Sequence, residues 1–192
     1  MKPLFHAIAF LTRFPVPSIG HSREDWLRSP AYYPAVGALI GAVLWGAAAL
    51  ADRLFTAPVA AAVTLAVWVF ITGGLHLDGW MDTADGLGSH RSGGELLAVM
   101  KDSRVGAMGV IAAVLLLLLK AAALYELIAT SHPAVMMVPP LAARYLLTVS
   151  MRIWPYISSG GIAEGMRERL HGGKLAAGAG FTAVVAYAAG GV

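Results

Sequence analysis

Apolar runs long enough to cross a bilayer lie on either side of a segment rich in carboxylates, and that juxtaposition leaves few folds open. From Gly73 to Gly109 the segment reads GGLHLDGWMDTADGLGSHRSGGELLAVMKDSRVGAMG. The chain has 11 acidic residues in 192, and five of them (Asp78, Asp82, Asp85, Glu95 and Asp102) stand here. Ionisable groups pinned between membrane spans are expensive to keep without a use. The usual uses are a divalent metal or a proton path.

A spanning helix needs about 20 mostly apolar residues. Four runs meet that requirement: Ala31 to Leu50, Ala57 to Leu75, Val105 to Tyr125 and Pro133 to Met151. A fifth extends from Leu175 to Val192. Only 13% of residues are charged, against about 25% in an ordinary soluble domain. The expected fold is therefore all-α: a polytopic transmembrane helix bundle of about five spans, forming one integral membrane domain over residues 1–192. Pro3 to Phe14 is apolar but too short to span. It is expected to form an interfacial or re-entrant helix ended by Pro15 and Pro17, which cannot donate to a helix ladder. No cleavage pattern follows it, so a removable leader is not expected. Without cysteine, disulfides and thiolate metal sites are excluded. The net charge of +3 comes without a basic cluster, which excludes nucleic acid and leaves the lipid bilayer as a partner.

Lysine and arginine set the orientation. Eleven lie in alternate connections: Lys2, Arg13, Arg23 and Arg28 before the first run, Arg91, Lys101 and Arg104 between the second and third, and Arg152, Arg167, Arg169 and Lys174 between the fourth and fifth. The opposite connections hold Arg53 alone, while Lys120 and Arg144 fall inside apolar runs. The N-terminus and the acidic segment, residues 76–104, are thus expected on the cytoplasmic side of a cell membrane. Gly37 and Gly41 form a GxxxG pair suited to close helix packing, and Pro139–Pro140 is expected to kink or break the fourth run.

Asp78, Asp82 and Asp85 are spaced i, i+4, i+7, which puts all three on one face of a helix. Like charges at that spacing repel and call for compensation. Mg²⁺ is the natural candidate, a hard cation that takes carboxylates together with waters and substrate phosphates. Gly79 and Gly86 would let backbone approach a ligand. Lys101, Asp102, Ser103 and Arg104 follow. Lysine and arginine here could anchor the third span, but Lys101, Ser103 and Arg104 are also phosphate donors of three chemical kinds. From His76 to Arg104 the net charge is −2 with neutral histidine, so a phosphate substrate would need a metal bound first. His76 and His90 bracket the aspartates, and His76 is the better candidate for substrate binding. Neither a P-loop nor a GxGxxG fingerprint is present.

The segments FLTRFPVP, YYPAVGALIG, GGLHLDGWMDTADGLG and MKDSRVGAMGV, in this order over nearly the whole chain, resemble the cobalamin synthase (adenosylcobinamide-GDP ribazoletransferase) family. The resemblance implies a multi-pass enzyme of the bacterial inner membrane, acting in cobalamin biosynthesis with Mg²⁺ as cofactor. Its substrates would be adenosylcobinamide-GDP and α-ribazole or α-ribazole 5′-phosphate, and GMP would be released. It implies metal binding by Asp78, Asp82 and Asp85, phosphate contacts from Lys101 and Arg104, a hydrogen bond from Ser103, and a general base among the aspartates or Asp102. Oligomeric state stays open, a homo-oligomer included. The resemblance also implies membrane helix beyond the fifth run, so the C-terminus is read as truncated. The CDP-alcohol phosphotransferases share a DG-containing aspartate motif, but their alanine–arginine pair and later aspartates are missing here. A secondary transporter would carry its ionisable groups in broken helices near the midplane, whereas these aspartates follow the second apolar run.

Overall fold

The structure, a computed structural model, describes all residues except 19, 21, 159, 191 and 192. Its helices are α1 (Lys2–Leu11), α2 (Arg23–Arg28), α3 (Tyr33–Leu54), α4 (Ala57–Thr72), α5 (Leu75–Gly88), α6 (Gly93–Met100), α7 (Ala107–Ala129), α8 (Val138–Ile153) and α9 (Gly172–Gly190). Short 3₁₀ turns occupy Ser29–Tyr32, Pro133–Met137 and Arg167–Arg169. No strand occurs among the described residues, as an all-α bundle requires.

Proline opens α1, α3, α4 and α8. The first N–H groups of a helix have no intrahelical acceptor, so the missing donor costs little there. Of the two outcomes expected of Pro139–Pro140, a kink or a break, the structure shows an interruption: the fourth run is a 3₁₀ turn up to Met137, and the pair lies in the first turn of α8. Helix α1 also ends earlier than expected. Thr12 is extended, its N–H and its Oγ1 both donate to the carbonyl of Ile8, and the N–H of Arg13 donates to Ile71 O at 2.7 Å. Ala7 and Leu11 are fully buried beside Tyr33, Ile40 and Ile71, so one face of α1 is packed on the bundle.

Three helical stretches are long and apolar enough to cross a membrane: Arg23–Leu54, Ala107–Ala129 and Pro133–Ile153. The second expected span is realised differently. Helices α4 and α5 pass the same test only as a pair, bent by 88° at Gly73–Gly74. Both glycines have positive φ, 63° and 73°. Their N–H groups return to Phe70 O and Val69 O, the closing pattern of a left-handed helix terminus that glycine adopts without a Cβ clash. The fifth run forms the 19-residue α9. With its glycines and Lys174 it does not join the membrane-crossing set among the described residues, and the last two residues of the expected span lie outside them.

Helices α3 and α8 run antiparallel, as do α4 and α7. Gly37 faces Pro140 and Leu141 while Gly41 faces Met137. Likewise Ala60 and Ala61 pack with Leu124 and Ile128. The starts of α3, α7 and α9 share one face of the bundle with the ends of α5 and α8. On α7, with a mean hydropathy of 2.5, Ile111, Leu115, Leu118 and Leu119 are exposed. A bare apolar ridge of this kind suits lipid.

The GxxxG pair is a backbone contact. A Cβ on Gly37 would lie 2.6 Å from Pro140 O, and one on Gly41 2.6 Å from Met137 Cα. Gly41→Val should therefore lower stability by about 1–3 kcal/mol through overpacking. Gly46→Ala, where nothing lies within 4 Å, should be neutral or stabilising by up to about 1 kcal/mol. Thermal unfolding of the detergent-solubilised protein checks both, and equal midpoints for the two variants would contradict the packing argument.

Candidate functional site

Helix α5 carries all three aspartates and lies along the first half of α7. Gly88 is next to Met108, the Asp85 carboxylate reaches Gly106 and Gly109, and the Trp80 Nε1–H donates to Ala112 O at 3.1 Å. The aspartates thus stand on the second arm of a broken helix. They share a helix, as their spacing predicts, but that helix is part of the second membrane-crossing unit and does not follow a completed second span. The reason is the Gly73–Gly74 pair, which stops one helix and lets another begin at once.

Asp85 is fixed by backbone alone. Gly106 N–H donates to Oδ2 at 2.8 Å and Gly109 N–H to Oδ1 at 2.7 Å. Gly106 is the N-cap of α7, so the carboxylate satisfies orphan donors at the positive end of a 23-residue helix. A Cβ on either glycine would fall onto the Asp85 carboxylate. The glycines that let backbone approach a carboxylate are therefore Gly106 and Gly109. Gly79 meets nothing within 4 Å, and Gly86 receives the Met100 side chain of α6.

Asp82 lies between Asp78 and Asp85, within reach of both charges. Asp78 is exposed, Asp82 and Asp85 partly buried. The helical spacing sets them on one side of α5. Among the described residues no three His, Asp or Glu side chains converge closely enough to hold a metal between them. Asp85 is turned to α7, leaving Asp78 and Asp82 free of ion pairs among the described residues.

The KDSR segment links α6 to α7 and enters α7 where Asp85 is anchored. Lys101, Ser103 and Arg104 are exposed. Arg104 is clasped by Asp102: Nε lies 3.0 Å from Oδ1 and Nη2 2.6 Å from Oδ2, with the Arg104 N–H also donating to Oδ1. Those hydrogen bonds hold the Asp102 carboxyl down at about 2, which makes it a poor proton acceptor near neutrality.

His76 is turned away from the aspartates. Its Nδ1 lies 3.4 Å from Arg144 Nη2 on α8. Arg144 is 4% exposed, and its relevance was legible only as a charge inside an apolar run. A cleft of about 680 Å³ is on the same face of the bundle as the start of α7 but between α3 and α9, lined among others by Arg28, Tyr32, Arg169, Lys174 and Phe181.

A family model described as cobalamin-5-phosphate synthase matches residues 3–192. Among curated proteins, the adenosylcobinamide-GDP ribazoletransferase of Brevibacillus brevis is 50% identical over 171 residues, covering 88% of this chain and 70% of that protein. The proteins of the same name from Desulfitobacterium hafniense and Ectopseudomonas mendocina are 39% and 41% identical, over 88% and 85% of this chain and 68% of each relative. No solved structure matches the chain.

Asp85→Asn keeps the shape but replaces one acceptor by an amide donor facing an N–H. It should cost about 1.5–3 kcal/mol, the worth of a charge-assisted hydrogen bond, and the loss should be the same with and without Mg²⁺. Unfolding midpoints in the presence and absence of the ion check this. A loss that appears only with Mg²⁺ would make Asp85 a ligand and not an anchor.

Proposed function

The chain belongs to the cobalamin-5-phosphate synthase family, and from that membership we propose that it joins adenosylcobinamide-GDP to α-ribazole, or to α-ribazole 5′-phosphate, and releases GMP. One observation carries the reading. The Asp85 carboxylate ties the acidic helix to the end of α7 that the KDSR segment enters, so two of the four segments of the family resemblance, GGLHLDGWMDTADGLG and MKDSRVGAMGV, meet at one place.

The residues fit a divalent cation. Asp78 and Asp82 are successive carboxylates on one face, without cationic partners among the described residues, and Mg²⁺ is commonly held by one or two carboxylates plus substrate phosphates. When bound, the ion would neutralise charge developing on the diphosphate. The transfer itself is a displacement. A ribose hydroxyl oxygen of the acceptor bonds to the phosphorus that bears cobinamide, the bond from that phosphorus to the bridging oxygen breaks, and GMP leaves with that oxygen. The hydroxyl proton goes to Asp78 or Asp82, since Asp85 already accepts two N–H groups and Asp102 is held by Arg104. Lys101 and Arg104 steady phosphate oxygens, and Ser103 donates to one of them. Such catalysis rests on positioning and charge stabilisation.

The multi-pass architecture supports a place in the bacterial inner membrane, with the N-terminus and α5–α6 side cytoplasmic. The lysine and arginine alternation favours this orientation, and the antiparallel helices put the starts of α3, α7 and α9 on one face. The decisive assay mixes membranes containing the chain with adenosylcobinamide-GDP, α-ribazole and Mg²⁺, then measures GMP and a cobalamin product. No GMP above membranes lacking the chain would reject the reading.

Asp78→Asn and Asp82→Asn should each cost at least about tenfold in activity or Mg²⁺ affinity, with unfolding midpoints near that of the parent. Normal turnover at low Mg²⁺ in both would remove the metal assignment.

Arg104 separates anchor from clamp. The Nε–Nη2 fork that now holds Asp102 is the one that could take two phosphate oxygens. An anchor tolerates Arg104→Lys, because charge alone orients a span, while a clamp does not, because lysine lacks the planar fork. Losing one charged hydrogen bond to the substrate predicts roughly ten- to a hundredfold lower kcat/KM for Arg104→Lys. A near-normal rate would reduce the residue to an anchor.

A further inference from the structure

On the side of α5 opposite its aspartates, a set of positive groups gathers without an ion-pair partner among the described residues. Arg144 on α8 is 4% exposed, its Nε has no hydrogen-bond partner among the described residues, and its Nη2 lies 3.4 Å from His76 Nδ1 in the first turn of α5. Lys120 on α7 is half-buried with Nζ 4.2 Å from the centre of the Trp68 ring. Both cations lie close enough for their charges to act on the His76 ring. Neither forms an ion pair among the described residues.

The backbone adds to this charge. No side chain caps the N-terminus of the 14-residue α5, so its first N–H groups and its positive dipole end are open toward the break. The Arg13 side chain lies over the turn, with Nε 2.8 Å from where a Cβ on Gly73 would be. A buried cation without compensation is costly, and an ionisable group inside a spanning helix marks a site by default. Half-helix termini at breaks of this kind recur as anion sites in membrane proteins.

We propose that the break between α4 and α5 binds a phosphate group, held by Arg144, Lys120, Arg13 and the free N–H groups of α5. This site is separate from the carboxylate face. Successive residues advance by about 100° around a helix of 3.6 residues per turn, which puts Asp78, Asp82 and Asp85 roughly on the far side of α5 from His76. The group bound at the break is therefore not one that Asp78 and Asp82 hold through a metal. Two sources share this chemistry: a soluble phosphate monoester and a phospholipid headgroup.

The full chain in a phosphate-free glycoside detergent is titrated with ribose 5-phosphate, with ribose, and with phosphatidylglycerol in mixed micelles. Tryptophan emission is followed, with Trp68→Phe identifying the Trp68 contribution. A phosphate that draws Lys120 off the ring should change Trp68 emission saturably. The effective probe, ribose 5-phosphate or phosphatidylglycerol, then assigns the source, and ribose should have no effect. Lys120→Met and Arg144→Gln should each weaken the response at least about tenfold, the loss of one charged hydrogen bond. If Arg144→Gln does not fold, Lys120→Met decides. No response to either phosphate, or an undiminished response in Lys120→Met, overturns the proposal. The readout needs no turnover, so its outcome is independent of the transferase assay.

Discussion

The contact between the Asp85 carboxylate and the first turn of α7 fixes what the acidic helix can do. Both oxygens take backbone N–H groups, and the donors belong to the end of a helix whose dipole favours an anion. A carboxylate held this way is stable as a charge and already satisfied. It positions α5 against α7 while leaving its two neighbours on the same face to meet a ligand. The glycines at 106 and 109 are part of this contact, because any side chain there would take the place of the carboxylate.

That anchor would be useless if α5 began elsewhere, and the Gly73–Gly74 break sets where it begins. Two consecutive left-handed residues end α4 and restart the helix nearly at right angles. The turn is braced by Arg13, whose N–H donates to Ile71 O. Helices α3 and α8 touch backbone to backbone at Gly37 and Gly41. The Thr148 hydroxyl ties α8 to Pro30 O at 2.9 Å. Arg144 is one turn from Thr148 and accepts that hydroxyl at its own carbonyl, so the same packing that closes α3 on α8 also determines how deep the guanidinium lies.

Apolar run length and period located α3, α7 and α8 within a few residues, because lipid imposes a length that sequence must meet. The shared face of Asp78, Asp82 and Asp85 followed from spacing alone. Three features were not legible for physical reasons. The 88° break depends on two glycines adopting positive φ, and glycine permits but does not compel that conformation. The binding of Asp85 to Gly106 and Gly109 joins residues more than twenty positions apart, where no local pattern reports a contact. The prolines at 139 and 140 read as a disruption, because whether a proline starts a helix or interrupts one depends on where the preceding turn ends.

Helix α5 therefore presents two unlike faces within one element. On one side carboxylates stand a turn apart and favour a cation. On the other, His76 meets Arg144 with Lys120 close by, and the uncapped helix end favours an anion. A single helix can keep such opposite potentials apart because its backbone excludes water along its axis and its dipole reinforces the positive end. Moving one residue in register would rotate every side chain on α5 by about 100° and mix the two faces. The contact that prevents rotation is the grip of Gly106 and Gly109 on Asp85, at the opposite end of the helix from the cations. The segregation of charge at the start of α5 is thus enforced from its far end, by a carboxylate that need not touch any ligand.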